Sequence, residues 1–88
     1  MKEARATIRI EFPDENRAEI VFKALKPETE TSPTQRSKVE IKRDEKTILL
    51  RFNAKDTTAL RASINSYTRW AMVIEDVLST LESLRRDV

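Results

Sequence analysis

The chain has no cysteine, no histidine and no glycine in its 88 residues. Without cysteine no disulfide can brace a small core, and with histidine also absent only carboxylates remain to hold a metal, which suits hard cations alone. The same gaps remove a Ser-His-Asp triad, a thiolate nucleophile and a zinc-activated water. Without glycine no loop can bring successive backbone amides against a phosphate. That excludes the P-loop, the dinucleotide-binding fingerprint and the GXXG-type RNA clamp. Aromatic residues make up 6% of the chain, too few for a base-stacking platform. No apolar run approaches the ~18 residues of a membrane span, and no signal peptide is evident. The chain therefore reads as soluble and cytoplasmic, with no membrane partner. These gaps leave little for catalysis, and the chain reads as a non-enzyme with no cofactor and no metal.

What is present is a thin core under a heavily charged surface. Apolar residues are 39% and charged residues 36%, against typical values of about 45–50% and about 25%. A chain this short forms one domain, 1–88, and buries only about 60–65% of its surface on folding. The shortfall points to a chain completed by a partner or a second copy. The net charge of +2 is unevenly spread: residues 1–35 carry six basic and seven acidic side chains, residues 36–69 nine and four, and residues 70–88 two and four. A basic middle third lies between two mildly acidic ones.

Ala4, Ala6, Ile8, Ile10 and Phe12 alternate with Arg5, Thr7, Arg9 and Glu11, the period of a half-buried strand ended by Pro13. Asp14 and Glu15 suit a helix N-terminus. Ala18, Val21, Phe22 and Leu25 then mark one helical face, which Pro27 is expected to stop. Residues 26–35 (KPETETSPTQ), with two prolines and no apolar period, read as an exposed loop. Val39 and Ile41 alternate within 37–42, and Ile48, Leu50, Phe52 and Ala54 within 47–54. With the polar 43–46 between them, these two segments read as a hairpin. Leu49 falls on the outer face. From an N-cap at Asp56 or Thr57, Leu60, Ile64, Tyr67, Ala71, Ile74, Leu78 and Leu81 form one seam with alternating spacings of four and three. A second apolar line, Trp70, Val73, Val77 and Leu84, starts only after residue 69. A helix this long reaches ~45 Å, so its C-terminal half should overhang the sheet. The fold class is α+β in the order β-α-β-β-α: a three-stranded antiparallel sheet with two helices on one face. Its two edges and its open face are suited to completion by dimerisation.

The paired carboxylates Asp14-Glu15, Asp44-Glu45 and Glu75-Asp76 have simple places in the first helix turn, the hairpin turn and the solvent face respectively. Ser63, Ser66, Ser79 and Ser83 have no base within reach that the sequence can name. Arg61, Asn65 and Arg69 lie on one helical ridge, where two guanidiniums and an amide could grip phosphates or a protein carboxylate. The basic residues Arg36, Lys38, Lys42, Arg43, Lys46, Arg51 and Lys55 lead into that helix, and such cations give salt-dependent, sequence-independent contact with RNA. The doubly apolar zone from Trp70 to Leu84, with Val73, Val77 and Leu81, has more apolar surface than one small sheet can cover. Tryptophan is also enriched at binding hot spots.

The run Leu60-Arg-Ala-Ser-Ile-Asn-Ser-Tyr-Thr-Arg-Trp70 resembles the signature of the small CTAG/Pcc-type subunit of the KEOPS complex. That family's R-A-x-x-N-x-x-x-R-W core falls here on Arg61, Ala62, Asn65, Arg69 and Trp70. The element order and chain length also match. The resemblance implies a non-catalytic scaffold subunit of the machinery that installs threonylcarbamoyladenosine on tRNA. It further implies homodimerisation, docking of the helices on the catalytic ATP-binding-fold subunit, and support for tRNA binding. A regulatory, non-dimerising paralogue would share these features, and a stand-alone basic RNA-binding module is the alternative reading.

Overall fold

The computed structural model describes residues 3–31 and 37–86, with the elements β1 (Ala4–Glu11), α1 (Glu15–Thr31), β2 (Ser37–Asp44), β3 (Thr47–Ala54) and α2 (Thr57–Arg86). The sheet order is β1-β3-β2 with both pairings antiparallel. The α+β reading holds, with β3 at the centre and both outer strands free along one edge.

Period-two patterning builds the sheet. Along β1 every apolar residue is half-buried and every polar one exposed, and Phe12, just past its end, is buried. On β3, Ile48, Leu50, Phe52 and Ala54 are buried, as expected of a central strand covered on one face. The Phe12 amide donates to the Lys46 carbonyl at 2.8 Å, tying the end of β1 to the hairpin. The hairpin turn is tighter than the sequence suggests. β2 runs on through Arg43 and Asp44, leaving only Glu45-Lys46 as the connection, with Glu45 in the left-handed region at φ 54°.

Asp14 caps α1, its Oδ1 accepting the Arg17 amide at 2.8 Å, and Asp56 caps α2, its Oδ1 accepting the Ala59 amide at 2.8 Å. Each satisfies one of the amides that a helix start leaves without an intrahelical partner. Ala18, Val21 and Leu25 of α1 are fully buried against the sheet. The seam residues Leu60, Ile64, Tyr67, Ala71, Ile74 and Leu78 of α2 pack on the same apolar core. The Phe52 and Tyr67 rings meet edge to face at 5.9 Å, in the geometry aromatic quadrupoles favour.

Two expectations about the helices need correction. Pro27 does not stop α1, which continues to Thr31. The proline removes one backbone donor, but tertiary packing holds the next turn: Glu28 and Thr29 are half-buried beside Tyr67, and the Thr29 hydroxyl donates to the Lys26 carbonyl at 2.7 Å. Residues 26–31 of the expected loop are therefore helical, and its remainder, 32–35, lies outside the described residues, as does Arg36. The core seam of α2 also ends sooner than the spacing suggests, because Leu81 is exposed. A strand of eight residues spans only ~27 Å, whereas α2 at ~45 Å runs past the turn end of the sheet. The domain measures 57 × 21 × 19 Å, and Leu81 lies on the part of α2 with no sheet beneath it.

Candidate partner-docking surface

Beside its core seam, α2 keeps an apolar stripe that runs on past the sheet. Trp70, Val73, Val77, Leu81 and Leu84 are 47%, 50%, 52%, 53% and 59% exposed. Their order along the helix spreads them over ~21 Å. A contiguous apolar strip of this kind is unusual on a small monomeric protein unless something binds there. Covering five half-exposed side chains would supply roughly 5 kcal/mol before association costs.

A shallow groove of ≈ 440 Å³ at the near end of the stripe is lined by Asn65, Arg69, Trp70 and Val73 with Ala62 and Ser66. It joins a wider trough of ≈ 620 Å³ that runs between α2, the last turns of α1 and the free edge of β2, with Trp70 and Tyr67 on one wall and residues 37–40 on the other. The structure thus brings Asn65 and Arg69 together with Trp70 and Val73, while Arg61, also exposed, stays outside the groove. Val77, Leu81 and Leu84 continue the stripe toward the C-terminus.

The overhang is anchored by a contact that the sequence reading missed. Arg17 of α1, only 14% exposed, pairs with Glu75 at 3.0 Å and with Glu82 at 2.5 Å, the two carboxylates lying seven residues apart on α2. The hydrogen bond that Arg17 donates to Glu82 raises the Arg17 pKa above its ordinary value against partial desolvation, and the Glu82, Glu75 and Asp14 charges add to it. The guanidinium therefore stays charged throughout the accessible range. The other oxygen of Glu75, Oε1, is buried without a hydrogen-bond partner among the described residues. Glu75 does not lie on the solvent face, as its pairing with Asp76 suggested, but under the overhang as half of an inter-helix clamp. Position 17 is a polar place in the first turn of α1, and no local signal marks it. The Tyr67 pKa is raised, first by burial and second by the Glu28 charge, because the trough wall disfavours a phenolate.

The basic residues fall in three places. Lys38, Lys42 and Arg51 stand on the open face of the sheet, where the register sets Lys38 beside Asn53, Lys42 beside Leu49 and Arg51 beside Glu40. Arg43 shares the inward parity of Ile41 but is exposed at the strand end, where its Nη1 donates to the Glu45 carbonyl at 2.8 Å. Lys46, in the turn, approaches Glu11 at 3.9 Å. Charge counting along the chain overlooked Arg5 and Arg9, which lie in the acidic first third yet face outward from β1 onto the same open face. Among the described residues no three acidic side chains gather as a metal site, and no helix is long and apolar enough to cross a membrane.

The family model described as transcription factor Pcc1 matches residues 5–79. A curated relative, the KEOPS complex subunit Pcc1 of Pyrococcus abyssi (strain GE5 / Orsay), is 40% identical over 78 residues, covering 89% of this chain and 95% of that one. Among solved structures, a chain in the crystal structure of the binary complex Gon7-Pcc1 superposes with a TM-score of 0.79 at 23% identity, over 89% of this chain and 95% of its own. At that identity the likeness concerns the fold.

Proposed function

Because the chain belongs to the Pcc1 family, we propose that it is a non-catalytic scaffold subunit of a KEOPS complex. In this reading it docks on the catalytic ATP-binding-fold subunit, forms a homodimer and supports tRNA binding for threonylcarbamoyladenosine modification in the cytoplasm. The observation that carries the reading is the exposed stripe Trp70–Leu84 on a helix clamped beyond the sheet. It is an amphipathic surface suited to lie in an apolar groove of a partner. The uncovered sheet edges and the trough beside Trp70 fit a second copy.

The test uses Val77→Glu and Leu81→Glu. Both side chains are more than half exposed in the free chain, so the fold should tolerate either change within about 0.5 kcal/mol. In a helix–helix interface the same carboxylate would be buried without a partner, a cost of several kcal/mol. Co-purification with the catalytic subunit is expected to be lost in both variants while circular dichroism is unchanged. Retained binding in both would overturn the assignment of the docking face. A monomer by light scattering at micromolar concentration would overturn the homodimer.

A further inference from the structure

The open face of the sheet carries a charge pattern that neither the docking helix nor the family motif accounts for. Read across the strands in register, its rows are Arg5–Asn53–Lys38, Thr7–Arg51–Glu40, Arg9–Leu49–Lys42 and Glu11–Thr47–Asp44. Two rows hold a cation at each end and no carboxylate, and Arg51 lies at the centre of the row between them. The two outer strands lie ~10 Å apart across β3, and positions four residues apart along a strand lie ~13 Å apart. Four cations therefore mark the corners of a rectangle around a fifth. Within the rectangle Glu40 is the single carboxylate. Outside it lie Glu11 and Asp44 at the turn end and Glu3, paired with Arg5, at the other end.

Neutralisation is uneven across the molecule. Arg17, Lys23 and Lys46 each have a carboxylate partner, and Arg5 pairs with exposed Glu3 at 3.2 Å. Among the described residues Arg9, Lys38, Lys42 and Arg51 form no ion pair, although Glu40 stands directly across from Arg51. Both helices pack on the opposite side of the sheet, so nothing among the described residues covers the array. Like charges held close on one face oppose folding, and a polyanion laid on them would relieve the repulsion.

We propose that this face, with Arg5, Arg9, Lys38, Lys42 and Arg51, is where the chain contacts the phosphate backbone of RNA, and that the helical ridge Arg61–Asn65–Arg69 is not. The proposal deepens the tRNA part of the function above and rests on it. The chemistry is that of phosphate contact: the face offers guanidiniums and ammoniums, a lone half-buried leucine and no aromatic ring on which a base could stack. The ridge is poorly placed by comparison, because Asn65 and Arg69 line the groove beside Trp70, and a protein seated on the apolar stripe would cover them. The sheet separates its open face from the docking helix, so one chain could hold a protein partner and RNA together.

The experiment measures binding of an unmodified tRNA transcript by the full chain in complex with its catalytic partner, across a series of salt concentrations. One variant combines Arg9→Ala with Lys42→Ala, and a second carries Arg61→Ala, the ridge residue that lies outside the groove beside Trp70. Each phosphate contact contributes about −0.7 to −0.9 to the slope of log affinity against log salt. The open-face variant should bind 10-fold or more weakly near physiological salt with a slope about 1.5 units shallower. The ridge variant should bind as the parent does. Co-purification with the partner should survive in the open-face variant, which separates a failure here from a failure of the docking reading. Loss of RNA binding in the ridge variant with the open-face variant unaffected would overturn the proposal. So would a parent complex that ignores the transcript but binds phosphatidylserine vesicles, or binds neither.

Discussion

Glu45 is the one described residue held with a positive φ, at 54°, and the chain contains no glycine to relieve such a position. An L-residue in the left-handed region costs about 1–2 kcal/mol relative to a right-handed one. Replacing it with glycine removes that cost but adds backbone freedom to the unfolded chain, roughly 0.5–1 kcal/mol in the opposite direction. The side chain is exposed, and the Arg43 hydrogen bond goes to the backbone carbonyl, so no side-chain contact offsets the difference. Glu45→Gly should therefore stabilise the domain by about 0.5–1 kcal/mol, which for a chain of this length raises Tm by about 2–8 °C. Thermal melts followed by circular dichroism check this at one fixed protein concentration, since association would itself shift Tm. Glu45→Ala, which keeps the Cβ, is the control and should leave Tm nearly unchanged. A melt no higher than the parent's for Glu45→Gly, or an equal rise for Glu45→Ala, would refute the backbone argument.

Arg17→Ala should leave the sheet intact but free the overhang, because it strands the half-buried Glu75 carboxylate and releases Glu82. Amide exchange over residues 76–85 should accelerate about tenfold or more while strand amides stay protected, and unchanged exchange there would mean that α2 holds itself. Tyr67, the single tyrosine, should ionise above the ordinary value near 10. The folded state favours its protonated form, so this contribution to stability is complete below that value and is lost as pH rises toward the folded pKa. Tyrosinate absorbance reads the titration directly, and Glu28→Gln should move it part of the way back by removing the lesser of the two causes. A midpoint at or below the ordinary value would contradict the buried trough wall.

The strands and α2 were legible because their signals are local and repetitive. Nine residues of strict alternation at 4–12, and seam residues at 60, 64, 67, 71, 74 and 78, admit few other readings. The continuation of α1 past Pro27 was not, because the local rule against proline is overridden by Glu28 and Thr29 settling beside Tyr67 about forty positions away. Leu81 continued the seam in spacing, but spacing does not record where the sheet ends. The clamp between Arg17 and Glu75 joins residues 58 apart, which no periodicity can connect. On the candidate docking surface, the second apolar line was visible in the sequence for the same reason as the first, whereas its grouping with Asn65 and Arg69 around a groove required the helix to be placed.

Sequence alone determined what this chain lacks chemically, which residues alternate in and out of each element, and the Arg61–Trp70 run on which the family resemblance rested. These are properties of composition and of neighbours within one or two turns, where the geometry of a strand or helix is known in advance. Tertiary structure decided which charges share a face. Arg9 and Lys42 belong to segments of opposite net charge, yet they flank the same Leu49, because strand pairing is a long-range choice made by burying the other side of the sheet.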